Sequence, residues 1–178
     1  MFMKHNGQPT GFSLIEVLIA IVVLSVGLLG LAGAQYQGAS STNDAYYRSQ
    51  ATMIGNELAE RMHANQPAVD NNNYTPINIA NAQTYIDTSP APSNCDTTQK
   101  KTATSCDTTE MAFFDIYRAA SDINQRLPGG TLNITCADSD TGDTDVCTNG
   151  SPHTIDVSWE GVKDGNIITQ VVSIKVTP

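Results

Sequence analysis

From Val17 to Ala34 the chain runs eighteen residues without a charge, a proline, an asparagine or a glutamine. That is close to the roughly 20 apolar residues needed to cross a hydrocarbon layer of about 30 Å as a helix. No globular core is needed to explain such a run, and few soluble folds could bury it on all sides. One acid, Glu16, stands at its start. An ionisable group at the centre of a membrane segment costs up to roughly 3 kcal/mol on insertion scales, so a carboxylate here calls for a compensating partner.

A secretory signal peptide is the plainer alternative. Lys4 and His5 could supply its basic region, and Ala32-Gly33-Ala34 resembles a small-residue cleavage site. The apolar run is longer than the 7 to 15 or so residues of such signals, and an acid at its head does not belong to that pattern. The residues just before it offer another reading. "TGFSLIE" places Gly11 ahead of Phe12, and a cut between them would create a new α-amino group four residues before Glu16, a spacing at which helical neighbours meet.

A short basic leader, Gly at its last position, Phe as first mature residue and Glu four places on together resemble the class III signal of type IV pilins and type II secretion pseudopilins. The resemblance implies a prepilin peptidase that cuts after Gly11 and N-methylates Phe12. It also implies an apolar helix that leaves the inner membrane to line a fibre core. In that core a carboxylate and an ammonium from neighbouring subunits attract, while each alone is costly to bury. Glu16 then sets the register of assembly, as a buried polar residue fixes the alignment of a coiled coil.

With no proline between Phe12 and Asn65, helical periodicity continues past the apolar run. Tyr47, Ala51, Ile54, Leu58 and Met62 form one stripe, while Arg48, Glu57, Glu60 and Arg61 fill the remaining face. Asn65-Gln66-Pro67 is the expected stop. Such a helix would be on the order of 80 Å long. Gly27, Gly30 and Gly33 each cost about 1 kcal/mol of helix propensity relative to Ala, and are read as a hinge or as close-packing positions. The expected divisions are a leader over 1–11, a transmembrane and fibre-core helix over 12–34, its amphipathic continuation over 35–66, and a globular head over 67–178.

Within the head, residues 68–109 are rich in Asn, Thr, Ser and Pro, without sustained periodicity, and read as a long irregular surface connection. Phe113, Ile116, Tyr117, Ala120, Ile123 and Leu127 then fall at helical spacing, with Thr108 or Thr109 as N-cap candidate and Pro128-Gly129-Gly130 as terminator. Three β-rich segments follow, "TLNITCA", "HTIDVSW" and "IITQVVSIKVT", the last two joined across the hairpin signal Asp164-Gly165. Ile155, Val157 and Trp159 share one face of their strand, and Ile168, Val172, Ile174 and Val176 one face of theirs. The fold class is α+β: a long N-terminal helix packed on a small antiparallel sheet, with a short second helix. "MAFFDIYRAASDINQRLPGG" after a Cys-bearing loop, together with "VLSVGLLGLAGAQ", is similar to PilV-type minor pilins, also called type IV pilus modification proteins.

An even number of cysteines in an exported chain suggests disulfides. Four cysteines permit three pairings; Cys95 with Cys106 and Cys136 with Cys147 are favoured, each closing a short polar loop worth roughly 2 to 3 kcal/mol by loop entropy. Zinc is disfavoured because paired Cys-x2-Cys knuckles are missing. The acids of Asp138 to Asp145 fail the calcium-loop template, in which a Glu would stand where Asn149 does, and read as a solvated turn. His63 and His153 read as solvated or as capping a carbonyl, and Trp159 as core. The net charge of −9 repels phosphate backbones, so no nucleic acid is expected. No catalytic constellation, cofactor or metal is read from the sequence.

The resemblance implies a minor pilin, single-pass in the inner membrane with a periplasmic head and then part of the pilus at the cell surface. Its partners would be the prepilin peptidase and other minor and major pilins. A minor pseudopilin of a type II secretion system shares the same N-terminal logic. A tip adhesin binding through Val69 to Thr109 is the third reading.

Overall fold

The computed structural model describes residues 11–89, 91–92, 95, 106–140, 142, 144–163 and 165–177. Lys4 and His5 of the leader lie outside these residues, as do Thr141 and Asp143 of the acidic stretch, Asp164 of the turn and most of the Cys95 to Cys106 loop. Eight elements follow in order: α1 (Leu14–Ala64), α2 (Gln66–Asp70), β1 (Ile77–Ile79), α3 (Ala82–Thr88), α4 (Thr108–Arg126), β2 (Thr131–Cys136), β3 (His153–Lys163) and β4 (Asn166–Val176). They divide into two compact units, one up to Thr42 and one from Asn43 onward.

In the first unit the described chain is almost entirely helical. Its side chains are exposed on every side, from Leu14 at 85% to Val17 at 50%. A helix that is apolar all round is stable in water only when something covers it. Ser25 breaks the run without cost to the backbone, because its hydroxyl donates to the carbonyls of Ile21 and Val22 at 2.8 and 2.9 Å. The helix continues without interruption through Gly27, Gly30 and Gly33, where an added Cβ would meet open space.

The second unit is built on an antiparallel sheet of order β1-β2-β3-β4. Register lines up two apolar rows on its inner face: Ile77, Ile134, Ile155 and Ile174, then Ile79, Leu132, Val157 and Val172. Trp159 extends that face and is fully buried. Against it packs α1 from Ala51 to Met62, with Ala51, Ile54, Leu58 and Met62 buried as their spacing predicts. Each such large side chain contributes roughly 1.5–3 kcal/mol by leaving water. Gly55 marks the closest approach: a Cβ there would run into the Ile174 side chain and lie 3.6 Å from Val157 Cγ2. Its propensity cost of about 1 kcal/mol is therefore the condition for α1 to lie on β3 and β4. The resulting architecture is the α+β arrangement expected.

Several local expectations are corrected. The stretch from 68 to 109 is not one irregular connection: the end of α2, all of β1 and α3 and the start of α4 lie in it, and β1 is held as a strand by pairing with β2. Three residues are too few to show a period of two, so only the tertiary partner defines that strand. α1 ends at Ala64, at the expected stop, but helicity resumes at once: Pro67 sits in the first turn of α2, where its missing N–H has no partner to lose. The N-cap of α4 is Asp107, whose carboxylate accepts from Glu110 N at 2.7 Å while Glu110 Oε2 accepts from Asp107 N at 3.2 Å. That reciprocal capping box displaces Thr108 and Thr109 into the helix. Phe113 stays 47% exposed, and the buried stripe of α4 runs instead through Ala112, Asp115, Ile116, Ala119, Ala120 and Ile123.

Candidate functional site

At the chain's N-terminal end Gly11, Phe12 and Ser13 are non-helical and α1 begins at Leu14. The Ser13 carbonyl accepts from Glu16 N at 3.0 Å and from Val17 N at 3.4 Å, which closes the first turn. Phe12 is 84% exposed, and Glu16 is exposed as well. A carboxylate in the first turn of a helix is stabilised by the backbone dipole by about 0.3–1 kcal/mol. A contribution of that size does not by itself call for an acid at this position. Among the described residues no group bonds the Glu16 carboxylate, which stands exposed in the first turn.

The four cysteines of the head stand in two disulfides, Cys95–Cys106 and Cys136–Cys147, with Cα–Cα distances of 5.1 and 6.0 Å. His153 lies beside the second. It is buried, its Nδ1 is 3.0 Å from the Ser151 carbonyl and its Nε2 is 3.7 Å from Cys147 Sγ. Cysteine beside histidine is the composition of a nucleophile with its base, and with Cys136 it is the composition of a metal cluster. Both sulfurs are committed to each other, however, and neither can serve as a thiolate.

Burial lowers the His153 pKa from 6.5, partly countered by the bond to the Ser151 carbonyl. A histidine held neutral in the fold contributes stability above the unfolded value of about 6.5, and this is lost as pH falls below it, where the unfolded chain binds the extra proton. Lowering the pH from 7.5 to 5.0 should therefore depress the thermal midpoint, and His153→Gln should flatten that difference. An equal depression in the variant would assign the acid sensitivity elsewhere.

Asp138 accepts from Thr148 N at 3.0 Å and from Asp140 N at 3.3 Å, and Asp140 accepts from Gly142 N at 2.9 Å. Both bonds to Asp138 fall on its Oδ1, and backbone bonding holds Asp138 below the usual carboxylate range, chiefly through Thr148. Among the described residues of this stretch, Asp138 and Asp140 thus each accept from nearby backbone amides.

A polar group that sequence reasoning missed sits between α1 and α4. Arg61, assigned by periodicity to the solvent face, turns instead to Asp115, with Nη1 2.9 Å from Oδ1, and keeps Glu57 at 2.9 Å through Nη2. The other Asp115 oxygen accepts from the Tyr74 hydroxyl at 2.7 Å. Asn65 Nδ2 donates to the Thr108 carbonyl at 2.8 Å and reaches the Tyr74 oxygen at 3.3 Å. The one available signal was an acid on the buried spacing of α4, between Ala112 and Ala119. Burial pulls the Arg61 pKa down, but the bonds to Glu57 and Asp115 outweigh it and leave it raised. Beside this group opens a pocket of about 340 Å³ that also touches Ala64, Cys106 and Met111. Its charged groups are satisfied by one another, which is the chemistry of a structural joint.

Two family models match consecutive parts of the chain. The prokaryotic N-terminal methylation motif matches residues 9–32, and Type IV pilin Tt1218 matches residues 33–117. No curated protein matches, and no solved structure does.

Proposed function

We propose, from the premise that this chain is a type IV pilin-like protein, that it is a minor pilin taking part in the initiation and assembly of type IV pili. Residues 1–11 are the leader, removed by a prepilin peptidase between Gly11 and Phe12, and Phe12 is then N-methylated. Residues 12–34 hold the subunit in the inner membrane with residues 67–178 in the periplasm, and the amphipathic continuation over 35–66 joins them. During assembly the apolar segment exchanges lipid for neighbouring helices, and Glu16 meets the Phe12 ammonium of an adjacent subunit. The partners are other minor and major pilins, the destination is the cell surface, and the protein performs no catalysis itself.

The observation that carries this reading is the order Gly11-Phe12-x3-Glu16 ahead of a helix whose apolar side chains are uncovered on all sides. Cleavage supplies the one cation positioned to relieve the one acid of that segment. Mass spectrometry of the native protein should find a mature chain that begins at Phe12 and carries one extra methyl group. A mature chain beginning at Gln35 would convert the segment to a secretory signal, and an intact Met1 would make it a plain anchor.

The PilV-type assignment rests on "MAFFDIYRAASDINQRLPGG", which forms most of α4 and its exit turn. A pseudopilin would keep every step at the N-terminus, and recovery of the chain in sheared surface fibres would favour the pilus over the secretion machine.

A further inference from the structure

The sheet has two edges, and the chain treats them differently. The strand at one edge, β1, has three residues, whereas β4 at the other runs eleven in unbroken register with β3 and contains no proline. Lys163 pairs with Asn166 across a two-residue connection. In such a hairpin the closing pair exchanges both backbone bonds, and bonded and non-bonded pairs alternate away from it. Ile167, Thr169, Val171, Ser173 and Lys175 fall at the alternate positions, so their N–H and C=O groups point away from β3. Among the described residues, no backbone hydrogen bond from another element reaches them. Ile167 is 72% and Val171 50% exposed, and Val162, paired with Ile167, is 55% exposed. Natural sheets blunt an edge of this length with charges, prolines or bulges, and here one lysine near the far end is all that β4 offers.

We infer that this edge pairs with the same edge of a second copy, antiparallel about a two-fold axis through Thr169. The occupant follows from the pattern itself, because Ile167-x-Thr169-x-Val171 reads alike in both directions: β-branched, Thr, β-branched. With Thr169 opposite its own mate, a Thr–Thr pair of the kind that stabilises adjacent strands forms at the axis, and Ile167 of each copy meets Val171 of the other, removing apolar surface from water. Sliding the axis to Val171 would set Ile167 against Lys175. Moving the axis by one, to Gln170, would set Ile167 against Ser173 and Thr169 against Val171, and slipping one strand by a single residue would set outward-bonding residues against residues already bonded to β3. None of the outward residues is acidic, so a chain of net charge −9 brings no like-charged acids together across this seam. Val162, Ile167 and the second copy's Val171 then form one row, and each copy covers the other's wet apolar residues. The contact is isologous and closes on itself. It uses only residues from β3 and β4 and does not depend on the pilin reading.

The four native cysteines are bonded to one another, so a cysteine placed at 169 has only its symmetry mate to oxidise with. Paired residues in an antiparallel ladder lie about 5.5 Å apart at Cα, within disulfide reach. In the detergent-solubilised full chain, Thr169→Cys should form a covalent dimer about tenfold faster than Glu160→Cys, which stands three strand spacings from its mate. Adding Val171→Lys should slow the Thr169→Cys link about tenfold with the thermal midpoint unchanged. Equal rates at 169 and 160, no slowing by Val171→Lys, or a link that forms only to a different subunit would each overturn the inference.

Discussion

Glu16→Ala should be cut after Gly11 as efficiently as the parent, yet be recovered in fibres at no more than about a hundredth of the parental level. The cut proposed above falls at the Gly11–Phe12 bond, which is non-helical and exposed, and Glu16 lies beyond it in the first turn of α1. Removing the acid leaves that substrate intact. In a packed core of helices the Phe12 ammonium then has no counter-charge. At a separation of 4 Å and an effective dielectric of 20 the lost attraction is about 4 kcal/mol, and a single buried ion left unpaired costs several kcal/mol. Two to three powers of ten in incorporation follow from a loss of about 3–4 kcal/mol. Glu16→Gln removes the charge but keeps a hydrogen-bond acceptor, and should fall between the two. The measurement is the ratio of this chain in sheared fibres to that in membranes, with the processed form quantified in both. Parental incorporation of Glu16→Ala would refute charge pairing and return Glu16 to a helix-dipole role of under about 1 kcal/mol.

Which parts of this chain could be read in advance depends on how far each signal reaches along the sequence. The apolar segment is eighteen consecutive residues of one character and forms one unbroken helix, and burial alternates along most of β3 and β4, so local pattern and observed element agree. Ala51, Ile54, Leu58 and Met62 were legible because a stripe of one α-helix is a local property. β1 was not, since Ile77-Asn78-Ile79 becomes a strand only when Leu132 and Ile134 lie opposite it. α3 escaped for a similar reason: its N-cap Asn81 is one asparagine among many in an Asn-rich stretch, and only the bond to Thr84 N at 2.9 Å singles it out. Arg61 was misassigned because a charge on an amphipathic helix is solvated by default. Its inward turn is set by an acid fifty-four positions away, which periodicity in α1 cannot report.

That joint supports the second large effect: Arg61→Ala should destabilise the second unit by about 3 kcal/mol or more. Asp115 is 2% exposed, and Arg61 is the one cation bonded to it among the described residues. Removing the arginine leaves a buried carboxylate with a single neutral donor, Tyr74, whose own pKa is held above the ordinary tyrosine value first by burial and then by its bond to Asp115. Asp115→Asn should cost less, roughly 1–2 kcal/mol, because the amide oxygen can still accept from Tyr74 and the arginine keeps Glu57. The asymmetry follows from exposure: the Arg61 side chain is 32% exposed and can be rehydrated, whereas Asp115 cannot. Denaturant midpoints of the full chain in detergent, read by near-ultraviolet circular dichroism at the buried Trp159 and Tyr74, distinguish the two variants. If Arg61→Ala lies within about 1 kcal/mol of the parent, water entering through the pocket between Ala64 and Met111 is hydrating the acid. The tie between α1 and α4 would then rest on apolar contacts of Leu58, Met62 and Ile116 alone.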